Sequence, residues 1–272
     1  MMSSPDDYKF VAKLGNLKTL VQLLRSINFK EWATCCCSDN GVKITVEDSK
    51  CLQGIAYIPK IIFQEYNLAE DVIFKINLTV LVECLGMFWS SISTQGVSVM
   101  LQLMYKDVGH PVSVLIEEDG ILTDCSLKTL EPDDLIDFNI EPSNVLNKVI
   151  LNTEILRDIW SELDPTTDVI ALLLSPDPPY FRISTSGFAG ECHIEIPHDT
   201  ESIENFQCSI EATFCYQYSS MKPVMKALAC ANKVSLKTDN RGLLVFQFMV
   251  KTDDGHLSYI EYYLSPVFDA DE

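Results

Sequence analysis

Apolar and polar residues alternate with a period of two along much of this chain, the pattern of strands that bury one face. The alternation predicts strands over residues 33–37, 42–47, 53–58, 72–76, 97–105, 112–117 and 122–130 in the first half. In the second half it predicts 147–151, 169–174, 181–185, 191–196, 205–208, 233–238, 243–250 and 257–264. Asn40-Gly41 fits a type I′ hairpin turn, whose two central residues take positive φ. Asp119-Gly120, Asp254-Gly255 and Asp239-Asn240-Arg241-Gly242 are further turn signals, so the sheet should be mostly antiparallel.

Four segments carry a helical period instead. One aligns Leu17, Leu20, Val21 and Leu24; a second aligns Leu78, Leu81, Val82 and Leu85 behind Asn77 as N-cap. A third aligns Ile155, Ile159 and Leu163, capped by Asn152 or Thr153. The fourth aligns Met221, Val224, Met225 and Leu228, with Ser219 or Ser220 as cap and Pro223 in the first turn, where its missing N–H costs little. Each helix should lay one apolar stripe on a sheet.

The helices fall into two pairs. Residues 14–59 and 151–197 follow one plan of helix and three strands, ending at Ile58-Pro59 and Ile196-Pro197, an offset of about 138 residues. A unit of half the chain implies a duplicated domain. Residues 131–144, bounded by Pro132 and Pro142 and rich in acids, read as an extended connector.

Charge and chemistry narrow the function. The 272 residues hold 39 acids against 20 bases, a net charge of −19. That argues against a protein coated by one basic face, yet leaves room for a local basic surface inside an acidic shell. No run reaches the ~18–20 apolar residues that span a bilayer, and the polar, acidic start is no secretory signal, so a soluble intracellular chain is expected. The ten cysteines form no C-x-x-C pair and no zinc spacing, and are expected to be reduced core thiols. No metal site or cofactor is expected. The acid pairs Asp6-Asp7, Glu117-Glu118, Asp133-Asp134 and Asp253-Asp254 are the only hint of a metal-dependent exonuclease, and neighbouring acids on a strand point to opposite faces. His110, His193, His198 and His256 are scattered, and no G-x-S-x-G or Walker motif occurs.

Several collinear segments carry a family resemblance: 40–47 (NGVKITVE), 62–66 (IFQEY), 76–81 (INLTVL), 147–151 (NKVIL), 161–164 (SELD), 175–182 (SPDPPYFR), 237–242 (KTDNRG) and 261–266 (EYYLSP). With the duplicated plan they resemble the DNA sliding clamp family, and within it the Rad-one type subunit of the nine-one-one checkpoint clamp. The resemblance covers about residues 10–266.

The resemblance implies an α+β chain of two similar sliding-clamp (processivity-fold) domains, antiparallel sheets outside and four helices on the inner face. The first domain would span residues 8–130, the connector 131–145, the second domain 146–267 and an acidic tail 268–272. It implies a non-catalytic subunit of a nuclear, heterotrimeric ring in DNA-damage signalling and repair. Its partners would be two different clamp subunits of the Rad-nine and Hus-one types, double-stranded DNA through the ring, a clamp-loader ATPase and client peptides, with no membrane. A homotrimeric replication clamp is the alternative within the fold. The DNA-facing residues implied are Lys13, Lys18, Arg25, Arg157, Lys222, Lys226 and Lys233. Ring junctions would use strands holding Ile121, Thr123, Cys125 and Leu127 and, opposite, Ala189, Cys192 and Ile194. A client groove would be lined by Leu130, Leu135, Ile136, Tyr263 and Pro266.

Overall fold

A computed structural model describes residues 7–94, 99–188, 190–253 and 255–267. The chain begins with β1 (Phe10–Leu14), α1 (Leu17–Ile27), β2 (Trp32–Ser38), β3 (Gly41–Asp48), β4 (Leu52–Pro59), β5 (Glu65–Leu68) and β6 (Val72–Asn77). Next come α2 (Leu78–Gly86), α3 (Trp89–Ser93), β7 (Val99–Tyr105), β8 (Val112–Glu118), β9 (Ile121–Leu127) and β10 (Thr129–Leu130). The second half holds β11 (Val145–Asn152), α4 (Thr153–Glu162), β12 (Val169–Leu174), β13 (Phe181–Gly187), β14 (Gly190–Ile196), β15 (Ile203–Cys208) and β16 (Ala212–Gln217). It closes with α5 (Tyr218–Met225), a 3₁₀ turn at Lys226–Ala229, β17 (Lys233–Asp239), β18 (Leu244–Lys251) and β19 (Leu257–Leu264). The fold is thus mostly antiparallel sheet with few helices.

Two compact units emerge. One holds the described residues of Met1–Glu47, Ile55–Leu135 and Lys251–Tyr259; the other holds those of Asp48–Gly54, Ile136–Val250 and Ile260–Glu272. In the first, β5-β1-β7-β8-β9 form an antiparallel sheet, and β10-β6-β2-β3-β4 are neighbours in another. In the second, β14-β13-β12-β16 form a four-stranded sheet, and β18-β17-β11-β15 stand side by side. The repeated plan is visible in the order α1-β2-β3-β4 and α4-β12-β13-β14.

Asparagine starts three of the helices. Asn16 Oδ1 accepts the Lys18 N–H, Asn77 Oδ1 the Val80 N–H at 2.9 Å, and Asn152 Oδ1 the Glu154 N–H at 3.0 Å. Each satisfies one N–H that the first turn leaves without an intrahelical partner. Leu17, Leu20, Val21 and Leu24 are buried as their spacing requires, and α1 packs on α2 and α3. In α4 the buried stripe is Leu156 and Ile159, with Ile155 at its margin.

Five local expectations are corrected. The fourth helix begins after Gln217, not at Ser219 or Ser220, and Pro223 lies inside it rather than in its first turn. Tyr218 sets the earlier start: its N–H donates to Asp168 C=O at 2.8 Å, and its buried ring stacks on Trp160 at 5.2 Å. Beyond Pro223, which cannot donate to the helix ladder, the chain tightens into the 3₁₀ turn. The strand expected over 122–130 breaks at Lys128, so β10 pairs with β6 while β9 pairs with β8. The helical segments number five among the described residues, because α3 follows α2. Strands β1, β5 and β16 were missed by the alternation pattern.

The last correction concerns Asn40-Gly41. Ser38 pairs with Gly41, so the loop residues are Asp39 and Asn40, and neither has positive φ. Gly41 (φ +130) is needed for a different reason: a Cβ there would lie 2.2 Å from Ile58 O and 2.7 Å from Lys60 N. The left-handed pair sits instead at Ser49 (φ 51) and Lys50 (φ 58), and Asp119-Gly120 (φ 50 and 80) makes the expected hairpin. Gly41→Ala should therefore lower stability by more than ~1 kcal/mol, seen as a lower urea midpoint. Gly109→Ala, where φ is +79 but a Cβ meets nothing within 4 Å, should lose less.

Candidate functional site

The seven expected DNA-facing cations separate into three groups by what they touch. Three form ion pairs with distant carboxylates: Lys13 with Glu65 at 2.9 Å, Lys18 with Asp253 at 3.5 Å and Lys233 with Glu204 at 2.6 Å. Arg25 lies over the Trp89 ring at 4.2 Å, and Arg157 Nη2 donates to Leu228 C=O at 2.6 Å. Lys222 is exposed on α5, 5.6 Å from the Tyr218 ring, and Lys226 is exposed at the start of the 3₁₀ turn. Exposed pairs of this kind are worth ~0–1 kcal/mol, so a polyanion can displace the carboxylate. Around Lys222 and Lys226 no acid occurs in the sequence from Met221 to Thr238.

The expected junction residues lie on sheet edges. β9 ends the five-stranded sheet and β14 ends the four-stranded one. At seven residues each, they are the longest of the strands that end a sheet. Ile121 is 70% exposed, Thr123 and Cys125 are half-buried, and Leu127 is 6% exposed. Leu127 thus lies buried at the far end of the strand face that Ile121 begins. Cys125 faces α2: burial first, then the adjacent Cys125 thiol, push the Cys84 thiol up. On β14, Cys192 is exposed and Ile194 half-buried, while Ala189 falls outside the described residues. Phe188 at the same hairpin is fully exposed.

Register decides which backbone groups these edges offer. Glu118 pairs with Ile121 across the two-residue Asp119-Gly120 turn. The pair flanking such a turn exchanges both ladder hydrogen bonds. Ile121, Thr123, Cys125 and Leu127 therefore bond to β8, and Leu122, Asp124 and Ser126 direct N–H and C=O outward. By the same argument from Gly187 opposite Gly190, Glu191, His193 and Glu195 face outward on β14.

The expected groove residues divide between the units. Leu130 (49% exposed) and Leu135 belong to the first, and Ile136, Tyr263 and Pro266 to the second. Lys75 pairs with Asp133 at the connector's start. Within the second unit, Gln53 Nε2 donates to Ile136 C=O at 3.0 Å, and Phe138 stacks on Tyr263 at 6.2 Å. That unit also carries a cleft of about 320 Å³ lined by Asn139, Ile140, Lys148, Gln207, Lys237 and Tyr263, among others. Sequence reading missed Lys148 and Lys237, because only strand register brings them together.

The motif residues of 237–242 build a turn. Asp239, 1% exposed, accepts from Arg241 N–H at 2.9 Å and Leu243 N–H at 2.8 Å, and holds the Arg241 guanidinium at 2.9 Å. Tyr216 donates to Gly242 C=O at 2.7 Å.

The cysteines are unbridged, with Cys35 and Cys37 buried and Cys192 exposed. Burial pushes the Cys35 thiol up to about 12. Of the acid pairs, Glu117 and Glu118 sit on β8, Asp133 is held by Lys75, and Asp6 and Asp254 fall outside the described residues. No three His, Cys, Asp or Glu side chains converge in a metal-binding group among the described residues. None of the described helices is long and apolar enough to cross a membrane.

Comparison with known proteins follows the same line. A family model described as "Repair protein Rad1/Rec1/Rad17" matches residues 9–250. "Cell cycle checkpoint protein RAD1" of Mus musculus is 44% identical over 262 residues, 96% of this chain and 93% of its own. "DNA damage checkpoint control protein rad1" of Schizosaccharomyces pombe is 27% identical over 279 residues, 95% of this chain and 86% of its own. "DNA repair exonuclease REC1" of Mycosarcoma maydis is 25% identical over 189 residues, 58% of this chain and 41% of its own.

The edge register gives a direct test. Ser126→Pro removes an outward N–H and should leave the unfolding midpoint nearly unchanged, whereas Cys125→Pro breaks a bond to β8 and should lower it clearly. Equal losses in denaturant titrations would refute the register argument.

Proposed function

The chain belongs to the Rad1/Rec1/Rad17 family of repair proteins and is a checkpoint-clamp subunit of the DNA-damage response, and on that premise we propose that it forms one member of a heterotrimeric ring around duplex DNA. In this reading residues 8–130 and 146–267 are two clamp domains joined by the connector 131–145, and the acidic tail 268–272 lies outside the described residues. The helices line the inner wall and the sheets form the outer hoop. The observation that carries the reading is the pair of long edges: β9 ends a sheet in one unit and β14 ends a sheet in the other. Each presents outward N–H and C=O groups that a neighbour's strand can complete. Two such edges on one chain suit a closed ring.

The partners proposed are Rad-nine and Hus-one type subunits, a clamp-loader ATPase and client peptides, acting in the nucleus. Self-pairing is disfavoured by charge. β9 (ILTDCSL) and β14 (GECHIEI) together hold Asp124, Glu191 and Glu195 and no Lys or Arg. Like charges set opposite each other destabilise a ladder. The chain alone should stay monomeric in size exclusion with mass measurement and trimerise only with two different partners. A self-assembled trimer would support the replication-clamp reading instead.

DNA retention is assigned chiefly to Lys222 and Lys226, whose phosphate contacts carry no base information. Lys222→Glu with Lys226→Glu should speed loss of the assembled ring from DNA. It should also reduce the slope of log affinity against log salt by about two, near one per contact. Unchanged retention at low salt would remove these residues from the inner wall.

We propose that the subunit is not an enzyme. An exonuclease is the second reading, favoured by the name of the Mycosarcoma maydis relative. Magnesium-dependent DNA degradation by the pure chain, abolished by Glu117→Gln, would establish it.

A further inference from the structure

The cleft beside Tyr263 has a floor of unusual charge. Lys148 of β11 stands directly opposite Lys237 of β17. Gln207 flanks Lys148 on β15, and Val245 flanks Lys237 on β18. These four make one row on one sheet face, while their neighbours Val149 and Leu236 are buried on the other. Asn139, Ile140, Pro142 and Val145 close the cleft from the connector side.

Opposed like charges across a ladder destabilise it. Elsewhere in this acidic chain Lys9, Lys13, Lys18, Lys75 and Lys233 each hold a carboxylate. Among the described residues no carboxylate pairs with Lys148 or Lys237. The one acid lining the cleft, Glu261, is engaged by Gln247 Nε2 at 2.8 Å and by the Tyr263 hydroxyl at 2.9 Å. Two lysines against one occupied carboxylate leave an excess of positive charge in a chain whose net charge is −19.

We infer that this cleft docks a partner peptide through an acidic side chain, its carboxylate held between Lys148 and Lys237. The amides of Asn139 and Gln207 stand beside the carboxylate as donors. Ile140, Pro142, Val145 and Val245, which line the cleft beside its polar groups, cover the peptide's apolar neighbours. A peptide can set a carboxylate between the lysines and an apolar side chain against Ile140 and Pro142 together, which a nucleic-acid phosphate cannot. The inference rests on the client-peptide reading above and adds the chemistry that selects the client.

The test uses the full chain and two fluorescent probes, an alternating Glu-Leu peptide and its Gln-Leu counterpart, compared by anisotropy at low salt. The Glu-Leu peptide should bind about tenfold more tightly, a difference of ~1.4 kcal/mol. Lys148→Glu with Lys237→Glu should abolish that preference, while Lys106→Glu with Lys128→Glu, on exposed residues of the other unit, should keep it. If both peptides bind equally and Ile140→Ala weakens both, the groove stands and the charge selection is overturned. If neither binds, or Ile140→Ala changes nothing, the groove itself is lost and the inference with it. If the control variant loses the preference equally, the effect is net charge and the inference fails.

Discussion

An antiparallel sheet has to end, and its last strand leaves every second backbone N–H and C=O without a partner. Here that constraint falls on β9 and β14, seven residues each, on two different sheets. The remaining sheet ends are shorter. β5 has four residues and β10 two, and the Val267 N–H bonds back onto β16 at Cys215 C=O. Long open edges invite pairing with whatever strand fits, so side chains have to restrict the choice. Asp124 on β9 and Glu191 and Glu195 on β14 set like charges against any strand that carries the same sign.

Charge is handled in the same manner on the helices and the sheet faces. With about two acids for each base, several cations find a carboxylate nearby in space, often far off in sequence, as Lys18 finds Asp253 and Lys233 finds Glu204. Such pairs mute positive charge without holding it strongly. Net charge is therefore a poor guide to where an anion binds. What matters is which lysines the fold leaves without a counter-charge.

The segments that make the family recognisable serve mainly as architecture. Asp239 folds the 237–242 turn around its carboxylate, and Gly242 leaves room for the Phe214 ring, which a Cβ would meet at 2.5 Å. Ser175 N–H donates to Tyr180 C=O at 2.7 Å, closing the proline-rich loop before β13. Distinctive letters at these places reflect backbone geometry that few residues tolerate.

Fifteen strand segments, four helices and the repeated order of elements were legible from period and turn chemistry, because side chains on one face of an element share one environment. The caps at Asn77 and Asn152 were legible too, since a cap acts within three residues. Three kinds of fact were not. The role of Gly41 depends on Ile58, from a strand whose approach no local pattern encodes. Pairing of Lys13, Lys18 and Lys233 depends on carboxylates brought up by other strands and turns. Opposition of Lys148 to Lys237 depends on register between strands that lie far apart in the chain. Local spacing determines which face a side chain takes, but only packing across sheets decides what it meets there.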